Sequence, residues 1–199
     1  SLRMVSSFIR IAIYFIMILR LAATSASSIA REKEGRTLSI LLVSPIDNKD
    51  IIRGKVKAAI LKNIPLFILY IIPTLIALLS INHDNILQNI FQVPLSVINM
   101  AASIFFVSSC GIYHGVRSKS STSAIVNTIL TYFVIVWIGF GLISFMFNLL
   151  FAIFYNPSRY SIHILWYNLI ISFINTLIVG GLGLFYLRRA ERNLRTRIF

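Results

Sequence analysis

The chain has 199 residues, of which 57% are hydrophobic and only 13% are charged. Soluble domains carry about 25% charged residues and disordered chains are poor in apolar ones, so both classes are excluded. The formal net charge is +13, but the basic residues cluster between long apolar runs, which argues against nucleic acid as a partner. The composition therefore predicts an all-α, polytopic transmembrane helical bundle in contact with membrane lipid.

Five apolar segments are long enough to cross a bilayer, which takes about 20 mostly apolar residues. We predict one transmembrane domain, residues 1–199, with spans at about 11–30, 58–81, 93–113, 124–144 and 164–187. Pro65 and Pro73 in the second span are tolerable because neighbouring helices satisfy the freed carbonyls. Gly111 and Gly115 form a G-x-x-x-G pair that permits close contact between helices.

The distribution of basic residues predicts the topology. Of the 19 Lys and Arg, 14 lie in three segments, at 31–57, at 117–119 and after Leu187. By the positive-inside rule these share the cytoplasmic side only if the uncharged stretch 120–158 crosses once. We therefore predict a re-entrant segment at 145–155, before the last span, and a cytoplasmic carboxyl terminus.

The same topology places the amino terminus outside, where Arg3 and Arg10 are disfavoured. We therefore expect an upstream span, and an external domain after it, that this chain does not include. The alternative is a five-span protein.

The predicted cytoplasmic loop, residues 31–57, has the pattern of a short amphipathic helix. One face of that helix is apolar, with spacing i, i+3 and i+4 at Leu38, Leu41 and Leu42. Gly35 permits a turn before it, Pro45 ends it, and Asp47 can cap the next helix. Such a helix either lies on lipid or docks into the groove of a soluble partner.

Three parts of this loop, Ser28–Leu38, Leu41–Pro45 and Gly54-Lys55, resemble the first cytoplasmic loop of permease subunits of type 2 ABC exporters. The sequence departs from the family pattern at Arg36 and Ser39. The resemblance implies a coupling helix seated in a cleft of a separate ABC ATP-binding subunit. It also implies six spans, of which this chain lacks the first, re-entrant helices before the last span, and a second permease copy in a homodimer or heterodimer.

The resemblance also implies which residues couple the chain to the ATPase. The leucines would fill the partner's apolar cleft, charged residues would orient the contact, and the glycine and proline would set its shape. The set is Arg31, Glu32, Glu34, Gly35, Thr37, Leu38, Leu41, Leu42 and Pro45.

Arg20 lies in the middle of the first predicted span. A charge at that depth costs at least about 2.5–3.5 kcal/mol on insertion scales and usually faces a cavity or a partner. Arg20 is therefore a candidate for the translocation path. The alternative is that it extends towards the headgroups or pairs with carbonyls of an adjacent helix.

Motifs for chemistry are missing from the sequence. Gly54-Lys55 is followed by Val56 and has no phosphate-loop spacing, and neither H-E-x-x-H nor G-x-S-x-G occurs. We expect no catalytic, cofactor-binding or metal-binding residues, so the chain is not an enzyme and ATP is bound by the partner subunit.

The function predicted from the sequence is the membrane-spanning permease subunit of an ATP-driven ABC exporter in a bacterial inner membrane. The alternative is a non-transporting membrane anchor or assembly protein whose cytoplasmic helix lies on lipid. The sequence does not define a substrate.

Overall fold

The computed structural model describes residues 2–35, 47–79, 86–139, 141–142, 144–146, 149 and 160–196. Nearly all of these residues are helical, and none of them forms a strand, which confirms the predicted all-α class. The helices are α1 (Leu2–Glu34), α2 (Asn48–Leu79), α3 (Ile86–Arg117), α4 (Ser121–Tyr132) and α5 (Tyr160–Thr196). A π-helical segment, Phe133–Gly139, continues α4.

Four of the helices are long and apolar enough to cross a membrane: Val5–Glu34, Asn48–Ile76, Ile90–Arg117 and Leu169–Leu194. They overlap four of the five predicted spans. The helix at the fourth predicted span is shorter, with its apolar part at Ser121–Val136. The 33 residues of α1 rise about 50 Å, against a hydrocarbon core of about 30 Å. Its ends therefore extend beyond the apolar layer.

Helix α3 is the centre of the bundle and packs against all four other helices. From Phe106 to Tyr113 every side chain of α3 is buried, because neighbours cover it on all sides. Helix α1 instead buries one stripe, which includes Leu21, Ala22, Ser25 and Ala26. Large apolar side chains on the outer faces are exposed, as expected for helices that face lipid.

Helices α1 and α3 approach closely at the predicted glycine pair. A Cβ on Gly111 would lie 2.1 Å from the Ser25 Oγ, and a Cβ on Gly115 would lie 2.7 Å from the Ala26 carbonyl oxygen. Neither distance is compatible with a side chain larger than hydrogen unless the neighbour moves. The absence of these two side chains therefore brings the two backbones together.

One end of the bundle is basic. There the carboxyl ends of α1, α3 and α5 meet the amino ends of α2 and α4, as four side-chain contacts between these ends demonstrate. We call this the basic end, because it carries Arg31, Lys55, Arg117 and Arg188. The helix ends that meet here adjoin the three basic segments of the sequence, at 31–57, at 117–119 and after Leu187.

Two predicted features lie outside the described residues. These are the segment 36–46, which contains the predicted amphipathic helix, and most of the predicted re-entrant segment 145–155. Both stay predictions.

Candidate coupling site at the basic end

The last turn of α1 is bound to α2 by an ion pair. Glu32 accepts a hydrogen bond through its Oε1 from the Lys55 Nζ, and both side chains are about a quarter to a third exposed (31% and 25%). Because α1 and α2 run antiparallel, the last turn of α1 lies beside the first turns of α2. The pair therefore joins the end of α1 to the start of α2, on either side of residues 36–46.

Lys33 binds the carboxyl end of α3. Its Nζ donates to the carbonyl oxygens of Val116 at 3.3 Å and Ser118 at 3.4 Å. The last carbonyls of a helix lack partners within the helix and carry the negative end of its dipole. A lysine is therefore a favourable partner, and this one ties α1 to α3.

Glu34 binds the amino end of α4. Its Oε1 accepts from the Ser121 backbone N–H at 2.6 Å and its Oε2 accepts from the Ser121 Oγ at 2.9 Å. Ser120 caps the same helix, since its Oγ accepts from the Ser123 N–H at 3.3 Å. A carboxylate at this position satisfies a free N–H and faces the positive end of the helix dipole.

We call Glu32, Lys33 and Glu34, with their partners Lys55 and Ser121, the charged clamp. Three consecutive side chains of α1 reach three different helices, because successive residues on a helix point about 100° apart. The clamp therefore connects the end of α1 to α2, α3 and α4.

A second ion pair extends this connection to α5. The Arg53 Nε lies 3.0 Å from the Glu191 Oε1, and the glutamate side chain is only 10% exposed. Arg53 precedes Lys55 by two residues, or about 200° around the axis, so opposite faces of one turn of α2 contact α5 and α1.

Apolar packing beneath the clamp holds the same helix ends together. A buried cluster joins α1, α2, α3 and α5 through Ile29, Ile52, Val56, Val116 and Leu194. Ile29, Ile52 and Leu194 have no exposed surface. The charged contacts thus lie above a close-packed layer, and small displacements of one helix are passed to its neighbours.

The remaining predicted coupling residues fall into two groups. Arg31 is exposed in the last turn of α1, and Gly35 forms a turn in which its N–H donates to the Arg31 carbonyl at 2.9 Å. Thr37, Leu38, Leu41, Leu42 and Pro45 lie outside the described residues. On the far flank, the Asp47 carbonyl accepts from the Asp50 and Ile51 N–H groups, as expected of a residue that precedes a helix.

Arg20 is not part of this site. It lies on an exposed face of α1, 14 residues or about 21 Å from Glu34. Among the described residues none forms a hydrogen bond or ion pair with it. The structure therefore places Arg20 on the outer surface of the bundle.

Sequence reasoning missed the partners of the motif. Lys33 and Lys55 were part of the motif without a role, and Ser121 was not considered. The antiparallel course of α1 and α2 was a usable pattern for the Glu32–Lys55 pair, since it brings acidic residues at the end of α1 near basic residues at the start of α2. No local pattern indicates that Lys33 reaches α3.

Metal chemistry finds no support in the described part of the chain, where no group of three or more His, Cys, Asp and Glu residues lies together.

The fold and this site define an integral membrane protein. It is a bundle of apolar helices whose ends are held to one another beside the short connection between α1 and α2. The family described as ABC-2 family transporter protein matches residues 2–191. The chain therefore belongs to the ABC-2 family, and it is a transport permease. No curated protein and no solved structure matches it significantly.

Proposed function

We propose that this permease is the membrane-spanning subunit of an ATP-driven ABC exporter. A separate ABC ATP-binding subunit binds at residues 36–46, and a second permease copy completes the transporter. The basic end then faces the cytoplasm of a bacterial inner membrane, with the carboxyl terminus on that side.

The charged clamp is the observation that carries this proposal. Residues 36–46 connect two helix ends, and both ends are held by ion pairs and a buried apolar layer. A displacement of this short connection therefore reaches all five helices. ATP binding supplies energy only as far as the ATPase binds one arrangement of the bundle more tightly than the other.

Gly54 supports the same proposal from the side of α2. It belongs to the Gly54-Lys55 pair of the motif, it is exposed, and an added Cβ would meet nothing within 4 Å. Glycine in a helix interior costs about 0.5–1 kcal/mol relative to alanine. Packing among the described residues does not require this glycine, whereas a partner that approaches the backbone from outside would require it.

Replacement of apolar residues in segment 36–46 tests the docking. We expect Leu38→Asp combined with Leu41→Asp to abolish co-purification of the ATP-binding subunit while the permease still inserts. The predicted apolar face would then carry charges that a hydrophobic cleft rejects. Ser39→Asp is the matched control, because it adds a negative charge to the same segment off the predicted face.

Equal loss in the Ser39→Asp control would mean that charge alone disturbs the segment, and the proposed apolar contact would be wrong. Normal co-purification of the leucine variant would contradict docking at this segment. It would favour the alternative of a membrane anchor whose helix lies on lipid.

Arg20 keeps its proposed role in the translocation path only through a second copy, since it lies on the outer surface of the bundle. The path would then run between two copies of the permease. If Arg20→Ala leaves transport and substrate preference unchanged, this role is wrong.

A further inference from the structure

A cavity of about 380 Å³ lies in the half of the bundle away from the basic end. It is bounded by α1, α2, α3, α5 and the π-helical segment. Arg10 in its wall stands 24 residues before Glu34, or about 36 Å along α1 from the charged clamp. The volume is within the range of about 300–1,000 Å³ that small-molecule sites occupy.

The lining is mostly apolar but also contains a group of polar side chains. It brings together a guanidinium and three carboxamides, at Arg10, Gln92, Asn99 and Asn175. Tyrosine and serine hydroxyls add further hydrogen-bonding groups, at Tyr14, Tyr70, Ser96, Ser103 and Ser172. Polar groups in a transmembrane bundle are costly and usually mark a ligand or ion pathway.

The charge of the lining is positive. Arg10 is half-buried and contributes the one formal charge of the described lining, which contains neither Asp nor Glu. The described residues give Arg10 no ion pair or hydrogen bond. A partly buried guanidinium without a carboxylate is a site for an anion, with phosphate favoured by its fork of donors.

Asn175 supplies an independent observation. Its Oδ1 is buried and has no hydrogen-bond partner in the described structure. A buried carbonyl oxygen without a donor is destabilising, and a turn about the soft terminal torsion of the carboxamide would bring this covered oxygen to a donor in the cavity. A hydroxyl group beside the anionic group would supply it.

We propose that this cavity binds a small anionic headgroup that carries hydroxyl groups, with the anion at Arg10 and a hydroxyl donating to Asn175. Apolar side chains in the same wall, including Ile11, Phe15 and Val179, fit the non-polar part of an amphiphile. Transport of this ligand would rest on the proposed function. The binding itself needs no ATPase.

The experiment uses the full chain purified in a neutral detergent. Phosphatidylglycerol is the lipid probe, phosphatidylcholine is its zwitterionic reference, and glycerol 3-phosphate is the soluble form of the same headgroup. Native mass spectrometry counts the molecules that stay bound to the protein. The unfolding midpoint measures stabilisation by the ligand, which rises with the ratio of the ligand concentration to the dissociation constant.

Three variants locate the binding. Arg10→Gln removes the charge, and Asn175→Leu removes the acceptor at nearly the same volume. Lys57→Gln removes one exposed positive charge near the basic end and is the matched control. We expect Arg10→Gln to weaken phosphatidylglycerol binding at least about tenfold, as loss of a charge-assisted hydrogen bond does, and Lys57→Gln to leave it unchanged.

Asn175→Leu separates binding from folding. We expect it to raise the unfolding midpoint without ligand and to weaken binding, because it removes an unpaired buried acceptor that the ligand uses. Competition by glycerol 3-phosphate would identify a soluble source of the headgroup, and failure to compete would identify the lipid.

Binding that falls equally in Arg10→Gln and Lys57→Gln would overturn the proposal, since it would report general attraction of anions to a basic protein. So would equal retention of phosphatidylglycerol and phosphatidylcholine. Co-purification of the ATP-binding subunit is a separate measurement, so this site and the proposed function can fail independently.

Discussion

The close contact between α1 and α3 makes a quantitative prediction for Gly115→Ala. The new Cβ would lie 2.7 Å from the Ala26 carbonyl oxygen and must retreat by at least 0.3 Å to reach 3.0 Å. That oxygen belongs to the backbone of α1, so the helices themselves must separate. Overpacking of this kind costs about 1–3 kcal/mol.

Alanine also brings a gain, since glycine in a helix interior is about 0.5–1 kcal/mol less favourable. Gly181→Ala isolates that gain, because Gly181 is helical, exposed, and has nothing within 4 Å of an added Cβ. The gain in helix stability from replacing glycine by alanine is common to both variants and cancels in the comparison. We expect Gly115→Ala to be less stable than Gly181→Ala by roughly 1–3 kcal/mol.

The assay is unfolding of the purified chain in mixed micelles by titration with sodium dodecyl sulfate, followed by circular dichroism. The free energy of unfolding should fall or stay level for Gly115→Ala and rise slightly for Gly181→Ala. Equal stability of the two variants would refute the close approach of α1 and α3.

Three further substitutions test the packing and the clamp. Phe106→Ala should lower the free energy of unfolding by about 3 kcal/mol, because Phe106 is fully buried between two tyrosine rings; thermal unfolding measures it. Asn63→Leu should raise the unfolding midpoint, since the buried Asn63 Oδ1 has no hydrogen-bond partner in the described structure; a lower midpoint would show that the hydrogen bonds from the Asn63 Nδ2 to Ala59 and Thr24 outweigh that cost. Exchange of Glu32 and Lys55 should restore the stability that either reversal alone removes, with a coupling energy of about 0.5–1 kcal/mol in a double-mutant cycle. Additive effects of the two reversals would count against the pair.

The helices were predictable from the sequence because membrane spans depend on local composition. Long uncharged runs leave the backbone no alternative to internal hydrogen bonds, so α1, α2, α3 and α5 follow from hydropathy. The G-x-x-x-G pair was also predictable as a close contact, although the sequence did not identify α1 as the partner helix.

The ends of the helices and the continuation of α4 were harder to predict from the sequence. Helix α1 extends from Leu2 to Glu34, well past the predicted span at both ends, because polar residues continue a helix outside the apolar layer. Hydropathy detects only the apolar part. The π-helical segment Phe133–Gly139 has no sequence feature that we can connect with it.

The coupling site was predicted only in part. The resemblance identified Glu32 and Glu34 as residues that orient a partner, whereas the structure gives both of them contacts within the chain, at Lys55 and Ser121. The two roles are compatible. Which charges meet depends on the register between packed helices, and a motif within one segment carries no information about that register.

The cavity was not predicted at all. Its polar residues come from distant parts of the sequence, among them Arg10, Asn99 and Asn175, and each alone looks like an isolated polar residue in an apolar run. Only the packing of four helices brings them together.

The central claim is that the charged clamp passes motion from the ATPase to the rest of the bundle. Spin labels at Phe8 on α1 and Phe173 on α5, which are exposed side chains, report the distance between the two helices in the half away from the clamp. Cys110 is buried and does not compete for the label.

The measurement is the change in this distance between the ADP-bound and ATP-bound complex, by double electron–electron resonance. It is made on the wild type and on a variant in which Glu32, Lys33 and Glu34 are all replaced by glutamine. We predict a nucleotide-dependent change in the wild type that is lost in the variant. The ATP-binding subunit is added at a concentration that saturates the variant, because Glu32 and Glu34 are also expected to orient that contact. The same change in both proteins would contradict the account.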